Sequence, residues 1–368
     1  MSEVQKVPLR QLALQEIHRA SGAEMAEREG WSVPVSYGDE LLEYATVRER
    51  GAGLLDLSSR GRLLVTGSEA VAFLNGLITN DMKTLAEHRW MPAVFPNVQG
   101  RLVASVRVIR LGDDDKGKPI FVIDTEVATH GRVMQTIQKF TLAGDFHVKD
   151  LTEETVLLSL QGKAAAEKLK SVLGESSISI AEGSVTQTIW QNDPITVMRA
   201  SHTAADGFDL IVDNTHAEQI WQALLAVGAR PVGYEALEIL RVEAGIPRYH
   251  QDMDETTVVT ETNLDDAVSY TKGCYIGQEI IARIKYRGHV AKKLRGLVFE
   301  KPAMVATGTP IKSKDDKEIG QVTSSIYSPH FGRRLALGYI KYDYIAAGTG
   351  VKTSDSTPAE VVDLPFGN

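Results

Sequence analysis

A single cysteine occurs in 368 residues, Cys274, within Thr271-Lys-Gly-Cys-Tyr-Ile-Gly-Gln-Glu-Ile-Ile-Ala-Arg283. The residue types there fit thiol chemistry. Gly273 lets the backbone turn sharply and expose the sulfur. Helical character begins at Gln278, with Gly277 near the N-terminus, so Cys274 falls just before a helix start. The positive end of the helix dipole and the Lys272 ammonium both favour the thiolate, the reactive form. Free cysteine is, however, usually buried and inert, and spacing alone leaves both readings open. A nucleophile–histidine pair needs partners that a sequence does not place. No nucleophile-elbow or phosphate-loop motif is present.

The stretch after this segment holds Arg283, Lys285, Arg287, His289, Lys292, Lys293 and Arg295, six formal positive charges in 13 residues with no acid. A small polyanion fits such a stretch; so does a solvated connector between domains. The residues from Asp252 to Asp266 carry six acids, and the two stretches can pair with one another. No metal site is expected. One cysteine excludes any site needing two thiolates, and the nine histidines show no i, i+4 pair of the helical zinc type.

The elements that must position these residues follow from composition and periodicity. At roughly 150 residues per domain, the length predicts two or three domains. Hydrophobic residues make up 43% and charged residues 24%, which excludes disordered and disulfide-scaffold classes. The net charge of −8 disfavours a chain that coats nucleic acid or anionic membrane. No apolar run reaches the roughly 18 residues of a spanning helix, and no secretory signal is visible, so a cytoplasmic protein is expected.

Apolar spacing predicts a helix over 9–20, a break at Gly30–Pro34, and a second helix from Asp39 or Glu40 to Arg50. A strand over 62–66 runs through Gly67 into a helix with Ser68 as N-cap. A strand over 156–160 runs through Gly162 into a helix stopped by Gly174. The two units, 95 residues apart, read as a weak internal repeat or as two ordinary strand–helix units. Residues 102–111 and 119–124 read as a hairpin; 216–227 and 234–244 read as helices. Beyond residue 290, six short strands with turn residues between them predict a small closed β domain. The boundaries are drawn at 1–288, two α+β subdomains, and 289–368.

The motif Lys272-Gly-Cys-Tyr-Ile-Gly-Gln-Glu279 resembles the signature of the YgfZ family, folate-binding proteins linked to iron–sulfur cluster assembly or repair and through it to tRNA modification. Asn97-Val-Gln-Gly-Arg101 resembles the mitochondrial branch of that group. Gly30-Trp-Ser-Val-Pro-Val35, Gly53-Leu-Leu-Asp-Leu-Ser58, Phe73-Leu-Asn-Gly-Leu-Ile-Thr-Asn-Asp81, Asp206-Gly-Phe-Asp209 and Leu240-Arg-Val-Glu-Ala-Gly245 resemble the wider superfamily, the aminomethyltransferase of the glycine cleavage system. The resemblance implies an α+β fold of three domains around a central folate cavity, with a C-terminal β-barrel.

It also implies tetrahydrofolate as cofactor and Asp209 as the acid for the pterin's donor edge, which a carboxylate suits by accepting two parallel hydrogen bonds. Asn97, Arg101, Arg241, Tyr275 and Gln278 join it as folate-site candidates. Arg241 has the plainer alternative of a helix arginine paired with Glu238 or Glu243. The transferases carry a Gly-Gly-x-x-Asp-Asp carboxylate near the reacting folate nitrogen; here the matching stretch is Gly100-Arg-Leu-Val-Ala-Ser105. Ala104 and Ser105 cannot act as bases near pH 7. The transferase arginine ahead of the Leu-Arg-x-Glu segment is Leu237 here.

Three expectations result. In the first, a YgfZ-like protein uses Cys274, helped by Lys272, with iron–sulfur proteins or assembly factors as partners and no direct nucleic-acid or membrane contact. One thiol cannot hold a cluster alone, so another ligand is implied. In the second, a tetrahydrofolate-dependent aminomethyltransferase or demethylase works in the cavity. In the third, folate is a structural or sensory ligand. Whether the chain is an enzyme stays open among them.

Overall fold

The computed structural model describes residues 8–139, 144–175, 179, 181–300 and 304–367. The first stretch departs from the single helix that its apolar spacing predicts. Arg10–Gln11 is a short strand, β1, and the helix α1 spans only Gln15–Ala20. Leu12 packs with Trp31 and Val33, whereas Leu14 enters a different core with Leu158 and Trp221. One helical face cannot serve both. The expected break at Gly30–Pro34 is instead a hairpin of β2 (Glu24–Arg28) and β3 (Trp31–Ser36), with Arg28 opposite Trp31. Its two turn residues, Glu29 and Gly30, both have positive φ, as a tight two-residue hairpin requires. The helix α2 (Glu40–Ala45) starts where expected, with Asp39 accepting the Leu42 N–H at 3.0 Å, and continues as a π-helical turn to Arg50. β4 (Gly53–Asp56) follows.

Two units of the same plan come next. The first runs β5 (Gly61–Thr66), α3 (Ala70–Leu77), β6 (Arg89–Pro96), β7 (Leu102–Asp113), β8 (Pro119–Thr125), α4 (Val127–Gln138) and β9 (His147–Asp150). The second runs β10 (Thr155–Gln161), α5 (Ala165–Leu173), β11 (Val185–Trp190), β12 (Asp193–Arg199), β13 (Gly207–Asp213), α6 (Ala217–Ala226) and β14 (Arg230–Pro231). Their sheets share the order of four strands, β6-β7-β8-β5 and β11-β12-β13-β10, and differ at the edge, where β9 pairs with β5 but β4 lies between β10 and β14. The strand-to-helix glycines match as well. Gly67 has φ +118° and Gly162 φ +126°; a Cβ would lie 2.2 Å from the Asp145 carbonyl oxygen in one and 2.5 Å from that of Gly51 in the other. Only glycine tolerates both the conformation and the approach. The repeat reading is therefore the better of the two. Ser68 does not cap α3: its N–H and hydroxyl both donate to Asp145, at 2.9 and 2.7 Å.

The helix α7 (Tyr234–Glu243) lies against α2, β3 and the C-terminal domain. A stretch of turns and short 3-10 helices leads to α8 (Gln278–Arg287). The chain then closes a six-stranded barrel from β15 (Lys292–Phe299), β16 (Pro310–Lys312), β17 (Glu318–Ser328), β18 (Arg333–Lys341), β19 (Gly350–Thr353) and β20 (Pro358–Val362). The mixed α+β fold with a C-terminal barrel is thus as expected. Among the described residues no helix is long and apolar enough to cross a membrane.

Candidate functional site

A cavity of about 240 Å³ lies where the two units meet α7 and the β2–β3 turn. β7 presents Ser105 and Arg107 to it, and the end of β8 presents Glu126. Alternation along β7 explains the selection: 105 and 107 share one face, while Ala104, Val106 and Val108 fill the core of the first unit. Ser201 and His202 reach the cavity from the loop after β12; Tyr234, Leu237, Glu238 and Arg241 reach it from α7. Leu237 therefore does face the cavity.

The wall is charged and its ions are largely paired. Arg60 grips Asp124 through two hydrogen bonds, at 2.9 and 2.6 Å. Arg107 Nε donates to Asp124 Oδ2 at 2.7 Å, and its Nη1 donates to Asp209 Oδ2 at 2.6 Å. His202 Nε2 lies 2.8 Å from the same Asp209 oxygen. Against the upward pull of burial, Arg107 and Arg60 hold the Asp124 carboxyl at about 2. Burial likewise opposes ionisation of Asp209, and His202 and Arg107 overcome it, holding that carboxyl well below the usual range. Across the cavity, Arg241 and Arg248 both pair with Glu238.

Two groups stand out from this pairing. Arg107 Nη2 is buried and has no hydrogen-bond partner among the described residues. An acceptor atom of a bound ligand would supply one, and buried donors left unpaired are costly. Among the described residues the Glu126 carboxylate accepts one hydrogen bond, from the Tyr249 N–H at 3.0 Å, and burial pushes that carboxyl up to about 7.

The candidates from sequence divide into two sets. Arg241 lines the cavity but is locked, 5% exposed, donating to Glu238, to Asp252 at 2.8 Å, to the Ile246 carbonyl at 2.9 Å and to Ser324 of the barrel at 2.7 Å. Asp209 is fully buried behind the lining, with Arg107 and His202 between it and the space. Asn97, Arg101, Lys272, Cys274, Tyr275 and Gln278 are not among the lining residues.

They gather elsewhere. Asn97 Oδ1 accepts the N–H groups of Gln99 and Arg101, at 2.9 and 3.0 Å, and shapes a turn. Gly277, at φ +76°, begins α8 directly against that turn; a Cβ there would lie 2.3 Å from the Asn97 carbonyl oxygen. The Lys272 ammonium is buried and donates to the carbonyls of Asn75, Ile78 and Asn80, at 2.7, 2.9 and 2.6 Å. It thereby caps the C-terminal end of α3, where carbonyls lack helical partners. Burial lowers its pKa to about 8, and it lies 5.0 Å from the Tyr275 ring centre. Tyr275 is buried, Gln278 reaches the Lys272 carbonyl at 3.4 Å, and Cys274 is exposed.

The acidic and basic stretches pair only in part. Lys293 lies 3.7 Å from Asp265, but Asp252 takes Arg241 and Glu255 takes Arg132. No cluster of three metal-ligating side chains occurs among the described residues.

Sequence reasoning missed Arg60, Arg107, Glu126 and His202. A usable signal existed. Asp124 and Glu126 end the apolar run Ile120-Phe-Val-Ile123, and Arg107 interrupts Val106 and Val108. Charges in a strand that is otherwise apolar have to meet partners or a ligand.

Comparisons with known proteins bear on the whole chain. The family model described as "GCVT N-terminal domain" matches residues 14–272, and "Glycine cleavage T-protein C-terminal barrel domain" matches 292–367. An aminomethyltransferase from Rubrobacter xylanophilus is 30% identical over 367 residues, covering 100% of this chain and 96% of that one. One from Herpetosiphon aurantiacus is 29% identical, covering 97% and 98%. The crystal structure of the glycine cleavage system aminomethyltransferase T from Bartonella henselae superposes with a TM-score of 0.88 at 25% identity, covering 97% of this chain and 98% of that one. Fold and full-length similarity agree, and the chain belongs to the glycine cleavage T-protein, or aminomethyltransferase, family.

Proposed function

We propose that this chain binds a reduced folate in the central cavity and passes a one-carbon unit between it and an amine, as a transferase of the aminomethyltransferase or demethylase type. The observation that carries the reading is the buried, unpartnered Nη2 of Arg107 in the cavity wall. The wall suits a folate. Arg28 and Arg248, each about a quarter exposed, line the space and offer charge to an anionic tail. In this reading Asp209 acts through Arg107 and His202 rather than by touching the pterin. A cytoplasmic location belongs to the same reading.

The test is titration with tetrahydrofolate, read by quenching of tryptophan fluorescence, since Trp90 lines the cavity. Saturable binding in the wild type, weakened at least tenfold in Arg107→Met, supports the reading. Absence of saturable binding at millimolar folate sinks it. A screen of methylated and aminomethylated amines for methylene-tetrahydrofolate formation then identifies the donor.

A second reading keeps one observation of its own, the exposed Cys274 at the approach to α8. In it, the protein supports iron–sulfur cluster assembly or repair in the YgfZ manner, with iron–sulfur proteins as partners and an indirect effect on tRNA modification. Cys274→Ala, tested beside the wild type for rescue of iron–sulfur enzymes in a host lacking its YgfZ-like protein, separates the two. Equal rescue by both removes the thiol from the account.

A further inference from the structure

The carboxyl groups in and behind the cavity wall are mostly engaged by cations. Asp124 is held by Arg60 and Arg107, Asp209 by Arg107 and His202, and Glu238 by Arg241 and Arg248. Glu126 differs. Its Oε2 accepts the backbone N–H of Tyr249, and among the described residues no cationic side chain donates a hydrogen bond to it. The charged groups whose fields reach it are Arg60, Arg241 and Glu29, with Arg60 and Arg241 favouring its ionised form and Glu29 opposing it.

Its place on the sheet is informative. The β7–β8 ladder pairs Arg107 with Asp124 and ends at Val106 opposite Thr125. One residue further, Ser105 and Glu126 both line the cavity. By strand alternation they share the face of the Arg107–Asp124 pair. A carboxylate thus lines the cavity with Ser105 from just past the end of β8, as the extended residue that precedes α4, where residues 104 and 105 themselves carry none.

We propose that Glu126 is the proton acceptor for carbon–nitrogen bond formation in this cavity, an inference that rests on the folate reading above. The step balances as follows. A folate N–H attacks the carbon of an iminium ion, CH₂=N⁺. The attacking nitrogen's lone pair forms the new C–N bond, the iminium π pair returns to its own nitrogen, and the N–H proton passes to Glu126. The Tyr249 N–H fixes one oxygen and leaves Oε1 for the proton. A carboxyl raised to about 7 by burial is a stronger base than an exposed glutamate and is still ionised in a useful fraction near neutrality.

The probe is formaldehyde with tetrahydrofolate, which condense through such an iminium, measured beside the uncatalysed rate. The wild type is expected to accelerate ring closure with a rise through an inflection near pH 7. In Glu126→Gln the acceleration falls by about 10²-fold or more and the inflection disappears, while folate affinity, read by fluorescence in the same samples, stays within about threefold. Glu126→Asp restores part of the rate. Folate binding without acceleration, or acceleration unchanged in Glu126→Gln, overturns this proposal and leaves the folate reading standing. Failure of the wild type to bind folate overturns both.

Discussion

The cavity wall and the segment Lys272–Glu279 use charge in opposite ways. In the cavity, charged side chains arrive from separate stretches — Arg28, Arg60, Arg107, Glu126, His202 and Arg241 — and pair across the fold with one carboxyl left over. In the segment, one continuous run turns inward to hold backbone together. Lys272 closes the end of α3, and Gly277 lets α8 begin against the Asn97–Arg101 turn. A run that is conspicuous in sequence is a seam of packing here, apart from the exposed Cys274. The charged residues that line the cavity are scattered and individually ordinary.

This contrast can be broken by substitution, and the largest effect belongs to the cavity wall. Arg241→Met removes the partner of buried Asp252 and is expected to cost about 3–5 kcal/mol, as for a broken buried ion pair. Urea unfolding at pH 7 measures it; a loss under 1 kcal/mol would show that the pairing is incidental. Lys272→Met leaves two buried carbonyls and one half-buried carbonyl without a donor and is expected to cost about 2–4 kcal/mol. If that variant matches the wild type in unfolding, the seam description fails.

A smaller effect tests the leftover carboxyl. Folded Glu126 keeps its proton up to about pH 7, whereas the unfolded chain releases it near 4.5. Between those values the folded chain binds more protons, so stability falls as pH rises, and the loss is complete above 7. Glu126→Gln escapes this penalty. The variant is expected to be more stable than wild type by about 1–2 kcal/mol at pH 8, discounted for partial exposure, with no gain at pH 4. Paired thermal melts at the two pH values decide, and an equal difference at both would refute the raised carboxyl. The smallest effect is at Cys274. Cys274→Ser should shift stability by less than about 0.5 kcal/mol, while the wild-type thiol reacts with a maleimide in the folded protein. A thiol that labels only after unfolding contradicts its exposure.

Local patterns carried much of the fold. Short strands beyond 290, the hairpin of 102–111 and 119–124, and the glycine stop at 174 depend on nearby residues, and periodicity exposes them. The short β1 was hidden because Leu12 and Leu14 read as one helix while serving two cores, and the β2–β3 hairpin because Gly30 and Pro34 read as a break, whereas Gly30 is in its turn and Pro34 lies within β3. Strand β13 was hidden because Gly207-Phe-Asp-Leu-Ile-Val-Asp213 shows no alternation, being buried on both faces almost throughout. The cavity was legible only through motif resemblance, at Arg241 in its lining and Asp209 behind it. Arg107 and Glu126 gain their meaning from Asp209 and Ser105, partners that sit on other strands. No spacing rule reaches across a fold in that way.

The arginine on α7 also bears on how the whole molecule melts. Asp252 accepts Arg241 through one oxygen and the hydroxyls of Thr323 and Ser324, both on β17, through the other. Beside it, Val47, Leu157, Leu240, Leu294 and Leu337 share one apolar cluster. The barrel therefore has no boundary along which it can let go cheaply. Separating it would strand a charge and open a core, so calorimetry should record one cooperative transition for all the domains rather than an early one for the barrel.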